Sequence, residues 1–208
     1  DYARQTEGAD FHLQPYDRFF YSAKMKKAQY SFSDDDVKPY FNLDSVLVNG
    51  IFYAAHRVYG LNFRERTDLP TYHKDMKVFD VLDENGKQLA LFYCDYFRRP
   101  TKRGGAWMSA FLKQSGDRKQ LPLIYNVCNY AKAPEGQPTL LTWDETQTMF
   151  HEFGHALHGM LSNCTYNTLS GTSVSRDFVE MPSQFNESFA SIPEVFNHYA
   201  RHYKTGIV

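Results

Sequence analysis

Apolar positions recur at helical spacing through the first part of the chain, between residues 15 and 60. Aromatic and aliphatic side chains from Phe19 to Tyr30 fall on one side of a segment whose other side carries lysines, and this pattern predicts an amphipathic helix. A second apolar stretch covers residues 43–59 and ends at Gly60, a residue type that commonly follows the last turn of a helix. We therefore predict that residues 1–68 are mainly helical.

The pattern changes in the middle of the chain to short runs that are typical of strands. Residues 77–82 and 89–97 are such runs, and an Asn-Gly pair between them indicates a hairpin turn. A third run, residues 123–130, is bounded by prolines. Together these runs predict a small antiparallel sheet within residues 69–139. Because the third run leads directly toward the next helix, we expect it to form the sheet edge that borders the functional cleft.

The chain turns helical again beyond Leu140. Thr142 followed by Glu145 is a capping-box pattern that predicts a helix start, and apolar residues at helical spacing follow it. These are Phe150, Phe153, Leu157 and Leu161. Residues 177–197 predict a second helix, with Pro182 in its first turn or at a kink. The fold is thus predicted to be α+β, with two packed helices in residues 140–208.

Charge and hydropathy exclude several classes of partner. The 208 residues carry 23 basic and 24 acidic side chains, a formal net charge of −1 that does not favour nucleic acid or an anionic membrane. A basic stretch at residues 98–103 is interpreted as a solvated loop rather than a nucleic-acid surface. No apolar run approaches the roughly 18 residues that a membrane span needs.

The three cysteines include no CxxC pair and predict free thiols rather than disulfides or a cysteine-based zinc site. The sequence does not identify the compartment in which the protein works. The cytoplasm is slightly favoured, and the periplasm is the alternative.

Residues 151–155 form an HExxH motif on the predicted helix. At about 100° per residue, His151 and His155 lie about 40° apart and one turn along the axis, so both imidazoles can bind one ion. Glu152 is rotated to the side of this pair, where it can contact a water at the ion but cannot easily be a third ligand. We predict a catalytic zinc site, one ion per chain, with Glu152 as the general base.

The third protein ligand has to come from elsewhere. His158 lies about 10 Å along the axis from His151, so a structural or supporting role is expected for it. Spacing leaves the choice open among the downstream acids, which are Asp177, Glu180, Glu187 and Glu194. A carboxylate from the second helix, packed antiparallel to the first, would leave the fourth position open, as a catalytic zinc requires.

Several strings of residues resemble the thimet oligopeptidase family of zinc metallopeptidases, and within it the bacterial peptidyl-dipeptidases. They are residues 151–158 (HEFGHALH), 170–172 (SGT) and 176–184 (RDFVEMPSQ), together with residues 38–41, 91–93, 102–107 and 141–145. The resemblance covers essentially the whole chain. It implies a mainly helical, zincin-like catalytic region in which His151, His155 and Glu180 hold zinc and Glu152 is the catalytic base.

The resemblance also implies hydrolysis of short peptides in a channel between two helical halves, and peptidyl-dipeptidases release dipeptides from a free C-terminus. The alternatives are an endo-acting oligopeptidase of the same family and a catalytically incomplete zinc-binding fragment. Because the chain opens at Asp1 without an initiator Met, we expect residues 1–208 to be a partial catalytic domain of a longer protein. Its missing partners are then the N-terminal channel wall and a C-terminal substrate-gripping segment, without which the fragment is expected to be weakly active or inactive.

Overall fold

The computed structural model describes residues 1–30 and 33–208, and it combines helices with a mixed sheet. This architecture confirms the predicted α+β class. Ser31 and Phe32, which fall within the region predicted to be helical, lie outside the described residues. In the described part of the chain, no helix is both long enough and apolar enough to cross a membrane.

Helices occupy the two ends of the chain. The α-helices are α1 (Tyr2–Glu7), α2 (Arg18–Tyr30), α3 (Asp34–Val37), α4 (Leu43–Ser45), α5 (Tyr53–Tyr59), α6 (Trp143–Met160), α7 (Glu180–Glu187) and α8 (Pro193–Tyr199). A π-helical stretch lies at Val46–Phe52, and short 3₁₀ helices lie at Pro15–Asp17, Lys38–Tyr40, Asn167–Leu169 and Ser188–Ser191. Gly60 ends α5 in the left-handed conformation, with φ 69°, and its N–H donates to the carbonyl of His56. The predicted C-cap is therefore confirmed.

Five strands form the sheet within the described residues. They are β1 (Asn62–Glu65), β2 (Lys77–Leu82), β3 (Gln88–Phe97), β4 (Trp107–Leu112) and β5 (Leu123–Tyr130). Hydrogen bonding arranges them in the order β1-β2-β3-β5-β4. The predicted hairpin joins β2 to β3, with Gly86 at φ 79° in the turn. β1 extends the sheet into residues that the sequence pattern assigns to helices.

The sheet is not purely antiparallel, so this part of the prediction is wrong. β3 and β5 run parallel, whereas the other neighbouring pairs are antiparallel. The cause is β4, a strand that the sequence pattern does not reveal. The chain leaves β3, forms β4 at the outer edge and returns as β5 between the two, since parallel neighbours need a crossover of this kind.

β5 is an internal strand of the sheet. Tyr125 at its centre pairs with Tyr93 of β3 on one side and with Ser109 of β4 on the other. The expectation that residues 123–130 form the edge beside the functional cleft is therefore wrong. At this end of the described sheet, the edge belongs to β4.

The basic loop between β3 and β4 is partly buried. The Lys102 side chain is 5% exposed, and its Nζ donates to the carboxylate of Asp95 and to the carbonyls of Phe97 and Cys128. Arg99 donates to both oxygens of the same carboxylate, each at 2.7 Å. The interpretation as a solvated loop is wrong for Arg99 and Lys102, because the buried carboxylate of Asp95 has to be paired with cations.

Helix α6 lies at the centre of the molecule, between the sheet and α7. Phe150, Phe153 and Leu157 are buried, and the ring of Phe153 packs 5.4 Å from that of Phe92 on β3. Burial of each such side chain contributes about 2 kcal/mol to folding. Leu161 is 38% exposed because α6 ends at Met160, so the predicted apolar stripe holds for three of its four members.

Helix α7 crosses α6 at close range. A Cβ placed on Gly154 would lie 2.6 Å from the Cα of Ser183 and 2.8 Å from the carbonyl oxygen of Pro182. Only glycine allows this approach, since any other side chain would push the two helices apart. The close crossing brings the N-terminal turn of α7 beside the middle of α6.

The predicted helix over residues 177–197 is broken into α7, the 3₁₀ helix Ser188–Ser191 and α8. The break lies at Ile192, whose ψ of 126° is extended rather than helical. Its cause is Pro193, because a proline ring disfavours the helical conformation of the residue before it. Pro182 lies in the first turn of α7, as predicted.

Candidate metal centre

The start of α6 is set by its own sequence. Thr142 accepts a hydrogen bond from the backbone N–H of Glu145 at 3.1 Å, and the Glu145 carboxylate accepts one from the backbone N–H of Thr142 at 2.8 Å. These reciprocal bonds satisfy two donors that the helix terminus would otherwise leave free. The predicted capping box is confirmed, and it places the HExxH residues in the middle of a regular helix.

Three side chains converge beside the crossing of α6 and α7. Nε2 of His151 and Nε2 of His155 lie 3.2 Å and 3.1 Å, respectively, from Oε2 of Glu180. The ligand atoms that these residues offer all lie within 4.8 Å of one another. The structure therefore brings together one of the four acids that spacing left open and the two histidines of the motif.

Contacts between the two helices hold Glu180 in place. The hydroxyl of Ser183, one turn further along α7, donates to Oε2 of Glu180 at 2.9 Å, and the Asn186 amide donates to the carbonyl of Phe150 on α6 at 2.6 Å. The Ser183 hydrogen bond lowers the pKa of Glu180, and the nearby histidines lower it further. Glu180 is thus held as a carboxylate that faces both imidazoles.

Glu187 contacts the other side of the His151 ring. Its Oε1 lies 2.5 Å from Nδ1 of His151, and because a carboxylate accepts, Nδ1 donates. This bond fixes the tautomer in which Nε2 is free to bind a metal. Sequence reasoning considered Glu187 only as a possible ligand. Its position seven residues after Glu180, two turns along the same face, is the signal for this supporting role.

Glu152 is buried beside the histidines, with 6% exposure, and its Oε2 has no hydrogen-bond partner among the described residues. Burial raises the pKa of its carboxyl group to about 7, which the charge of His151 opposes and that of Glu180 reinforces. A carboxyl group with this pKa can both accept and donate a proton near neutral pH.

A cavity of about 430 Å³ opens in front of these groups. Its walls include Ala106, Trp107 and Met108, at the start of edge strand β4, as well as Thr172 and Val179. Sequence reasoning missed the contribution of β4 because it did not detect the strand. Thr172 belongs to the SGT string, for which the sequence suggested no role.

The remaining candidates lie outside the cluster. Asp177 is exposed, and Glu194 pairs with Arg57 at 3.1 Å and accepts a hydrogen bond from Tyr53. His158 lines a separate, mostly apolar groove of about 650 Å³. Burial there lowers the pKa of His158.

Comparison with known proteins gives the chain its family. The profile of Peptidase family M3 matches residues 1–208. The chain belongs to peptidase family M3. This finding confirms the resemblance on which the sequence motifs converged.

Curated members of peptidase family M3 are similar over nearly the whole chain. Dipeptidyl carboxypeptidase of Escherichia coli K12 is 50% identical over 94% of this chain, and that of Salmonella typhimurium LT2 is 48% identical over 96%. Oligopeptidase A of Escherichia coli K12 is 41% identical over 99% of the chain. The chain spans about 29% to 30% of the length of these relatives.

The donor set of this M3 chain fits a zinc ion. Two imidazole nitrogens and one carboxylate oxygen are ligands that zinc prefers in catalytic sites, where the protein supplies three of them. Glu180 has a lowered pKa and the cluster faces an open cavity, so the ligand atoms are available and accessible. The residues His151, His155 and Glu180 could therefore hold a metal ion.

Proposed function

We propose that this chain is the catalytic part of a zinc-dependent peptidase that releases C-terminal dipeptides from short peptides. His151, His155 and Glu180 would hold one zinc ion, and Glu152 would act as the general base. The observation that carries the proposal is the convergence of the three ligand atoms within 4.8 Å, with Glu152 buried beside them.

Zinc in such a site supplies Lewis-acid chemistry, which acidifies water and polarises a carbonyl group. The chain's own contribution is the proton transfer. Glu152 accepts a proton on a carboxylate oxygen as water adds to the scissile carbonyl, and it then delivers this proton to the leaving nitrogen. Its raised pKa of about 7 suits both halves of this transfer.

The substrate would lie along β4. This strand is the edge of the described sheet next to the cavity, and its first residues, Trp107 and Met108, share that cavity with His151, Glu152 and His155. An extended peptide can add to an open edge through backbone hydrogen bonds, which bind it with little dependence on side chains. The edge strand in this proposal is thus β4 rather than β5.

Release of dipeptides is favoured over internal cleavage by the names of the similar proteins. The relatives at 50% and 48% identity are called dipeptidyl carboxypeptidase, whereas those called oligopeptidase A reach 41%. An endo-acting oligopeptidase is the alternative within the same family. A purely structural zinc fragment is less well supported, because such a site needs no base and closes all four ligand positions.

The test is an assay of the full-length protein on two peptides of one sequence, one with a free C-terminus and one amidated. The proposal expects a dipeptide from the free peptide and little or no cleavage of the amide. Equal cleavage of both would favour the oligopeptidase. The chain of residues 1–208, assayed in parallel, is expected to be weakly active or inactive, because the chain spans only 29% of its 50%-identical relative.

A further inference from the structure

Asn126 is a buried polar residue without a hydrogen-bond partner. It lies in the middle of β5 with 1% exposure, and neither Nδ2 nor Oδ1 of its amide has a partner among the described residues. A buried amide that donates and accepts nothing is costly and rare in folded proteins. The position therefore needs an explanation that packing does not supply.

Three further buried and unpartnered polar atoms lie on α6, the helix that covers this strand. One is Nδ1 of His158, a residue that lines the separate apolar groove. The other two are Oε2 of Glu152 and Nδ1 of His155. Nε2 of His155 is the atom that faces Glu180, so Nδ1 is the ring nitrogen left over for a supporting contact. Histidines that bind a metal through one nitrogen almost always donate from the other, and here no donor bond is made.

The packing of α6 on β5 places these groups opposite one another. At one end of the contact, a Cβ on Gly159 would lie 2.8 Å from Cδ1 of Ile124. At the other end, the hydroxyl of Tyr130 donates to the carbonyl of Glu145 at 2.9 Å. Helix α6 therefore runs antiparallel to β5. It covers the face of the sheet to which the even-numbered residues of β5 point.

Asn126 lies two residues beyond Ile124 on this face, about 6.6 Å further along the strand. A helix covers the same distance in about 4.4 residues. Counting back by this number from Gly159, which lies above Ile124, reaches the turn of α6 that contains His155. Glu152 lies one turn further on, above the same strand. The amide of Asn126 thus faces the segment that carries the unpartnered groups of His155 and Glu152.

The hydrogen-bonding capacities of the three groups match. An amide offers a donor and an acceptor, the Glu152 carboxylate accepts, and the Nδ1–H of His155 donates. We propose that Asn126 is a positioning residue of the metal site, whose amide is joined through ordered water to Nδ1–H of His155, on the side of Oδ1, and to the Glu152 carboxylate, on the side of Nδ2. This inference rests on the proposed function, since it treats His155 as a ligand and Glu152 as the base.

The consequence is that one residue would orient both a ligand and the base. The acceptor fixes the His155 tautomer with Nε2 toward the ion, and the donor holds the Glu152 carboxylate toward the water. Loss of the amide is then expected to weaken metal binding and to slow catalysis. Substitution of a residue that only fills space would have no specific effect on either.

The test compares Asn126→Leu with Ile124→Val in the full-length protein. The first change removes both polar atoms and keeps the branched shape of the side chain, and the second alters packing against the same helix without removing a polar group. Zinc dissociation constants are measured by competition with a chelator, and circular dichroism of the metal-free proteins checks the fold. We expect Asn126→Leu to weaken zinc binding about 10- to 100-fold and Ile124→Val to leave it within about threefold.

Equal zinc affinity in the wild type and a folded Asn126→Leu would overturn the role of Asn126 and leave the zinc site intact. Absence of zinc binding in the wild type would overturn the proposed function itself. Should Asn126→Leu fail to fold, a high-resolution crystal structure of the zinc-loaded wild type decides the matter. It is expected to show the Asn126 amide joined to His155 and Glu152 by ordered water, and an amide bonded to other groups instead would overturn the inference.

Discussion

Glu187 and His151 form a hydrogen bond of 2.5 Å on the side of the imidazole ring opposite to Glu180. The ring is therefore held between two carboxylates that lie two turns apart on α7. One of these faces the proposed metal position, and the other fixes the proton on Nδ1. Removing the two carboxylates one at a time therefore distinguishes binding of the metal by Glu180 from orientation of the His151 ring by Glu187.

For Glu187→Ala we expect zinc affinity to fall about 10- to 100-fold, because the ring loses its orienting partner while all three proposed ligands remain. Glu187→Gln keeps an acceptor at nearly the same place and should recover part of the loss. Chelator competition on the purified full-length proteins measures both. A Glu187→Ala variant with wild-type zinc affinity would show that the bond plays no part in metal binding.

Glu180→Ala is expected to lose zinc, or to bind it far more weakly than Glu187→Ala does, because it removes one of three proposed ligands. Metal analysis of the protein purified beside the wild type gives the stoichiometry. Glu194→Ala is the matched control, since Glu194 is an acid of the same region that pairs with Arg57 away from the cluster. If Glu180→Ala and Glu194→Ala retain equal zinc, the third ligand is not Glu180.

Glu152→Gln is expected to keep its zinc but to lower kcat/KM by a factor of about 10² to 10⁴, the usual contribution of a general base. The amide has nearly the same shape as the carboxyl group but cannot accept the proton of the attacking water. Glu135→Gln, on an exposed loop, serves as the control for the loss of one acidic group. Substantial activity in a zinc-loaded Glu152→Gln protein would assign the base to another residue.

The buried cation Lys102 is expected to matter for stability. Lys102→Met leaves the carbonyls of Phe97 and Cys128 without their donor and weakens the pairing of Asp95, so we expect a loss of about 3 kcal/mol in the free energy of unfolding. Lys113→Met, which removes an exposed lysine bonded to Ser173, should change it by less than about 0.5 kcal/mol. Denaturant titration of the two full-length variants measures both changes in the free energy of unfolding. Equal changes in Lys102→Met and Lys113→Met would contradict a structural role for Lys102.

The same network gives stability a dependence on pH. Burial alone would raise the pKa of Asp95, but hydrogen bonds from Arg99, Tyr72 and Lys102 outweigh it and lower the pKa below the ordinary value of 3.8. A carboxyl group with a lowered folded-state pKa stabilises the fold above its ordinary pKa and loses this contribution as the pH falls through the folded-state pKa. The ion pairs of Asp95 should thus be intact at neutral pH and fail only in acid.

The corresponding measurement is the melting temperature of the wild type and of Asp95→Asn between pH 6 and about pH 2, a range chosen to span the titration of aspartate. The difference between the two proteins should narrow as the pH falls, because protonated Asp95 resembles the amide. Asp10→Asn, at an exposed position, serves as the control for the loss of one acidic group. A gap for Asp95→Asn that does not narrow in acid would contradict the lowered pKa.

Local features of the fold follow from the sequence. The capping box at Thr142 and Glu145, the cap at Gly60 and the turn at Gly86 each depend on residues within one or two turns of each other. The spacing of His151 and His155 is equally local, since helical geometry alone brings their imidazoles to one side. The family resemblance belongs to this group as well, because it rests on continuous strings of residues.

Other features depend on which distant segments meet, and only the tertiary structure decided them. Spacing left four acids open, and the crossing at Gly154 is what brings Glu180 to the histidines and Glu187 to the far side of the His151 ring. The order of the strands in the sheet could likewise not be predicted from the sequence pattern, because strand pairing is a contact between segments far apart in the chain. It places β4 rather than β5 at the edge beside the cavity. The position of Asn126 beneath α6 has the same origin: periodicity shows that a residue faces inward, but only packing determines which groups it meets there.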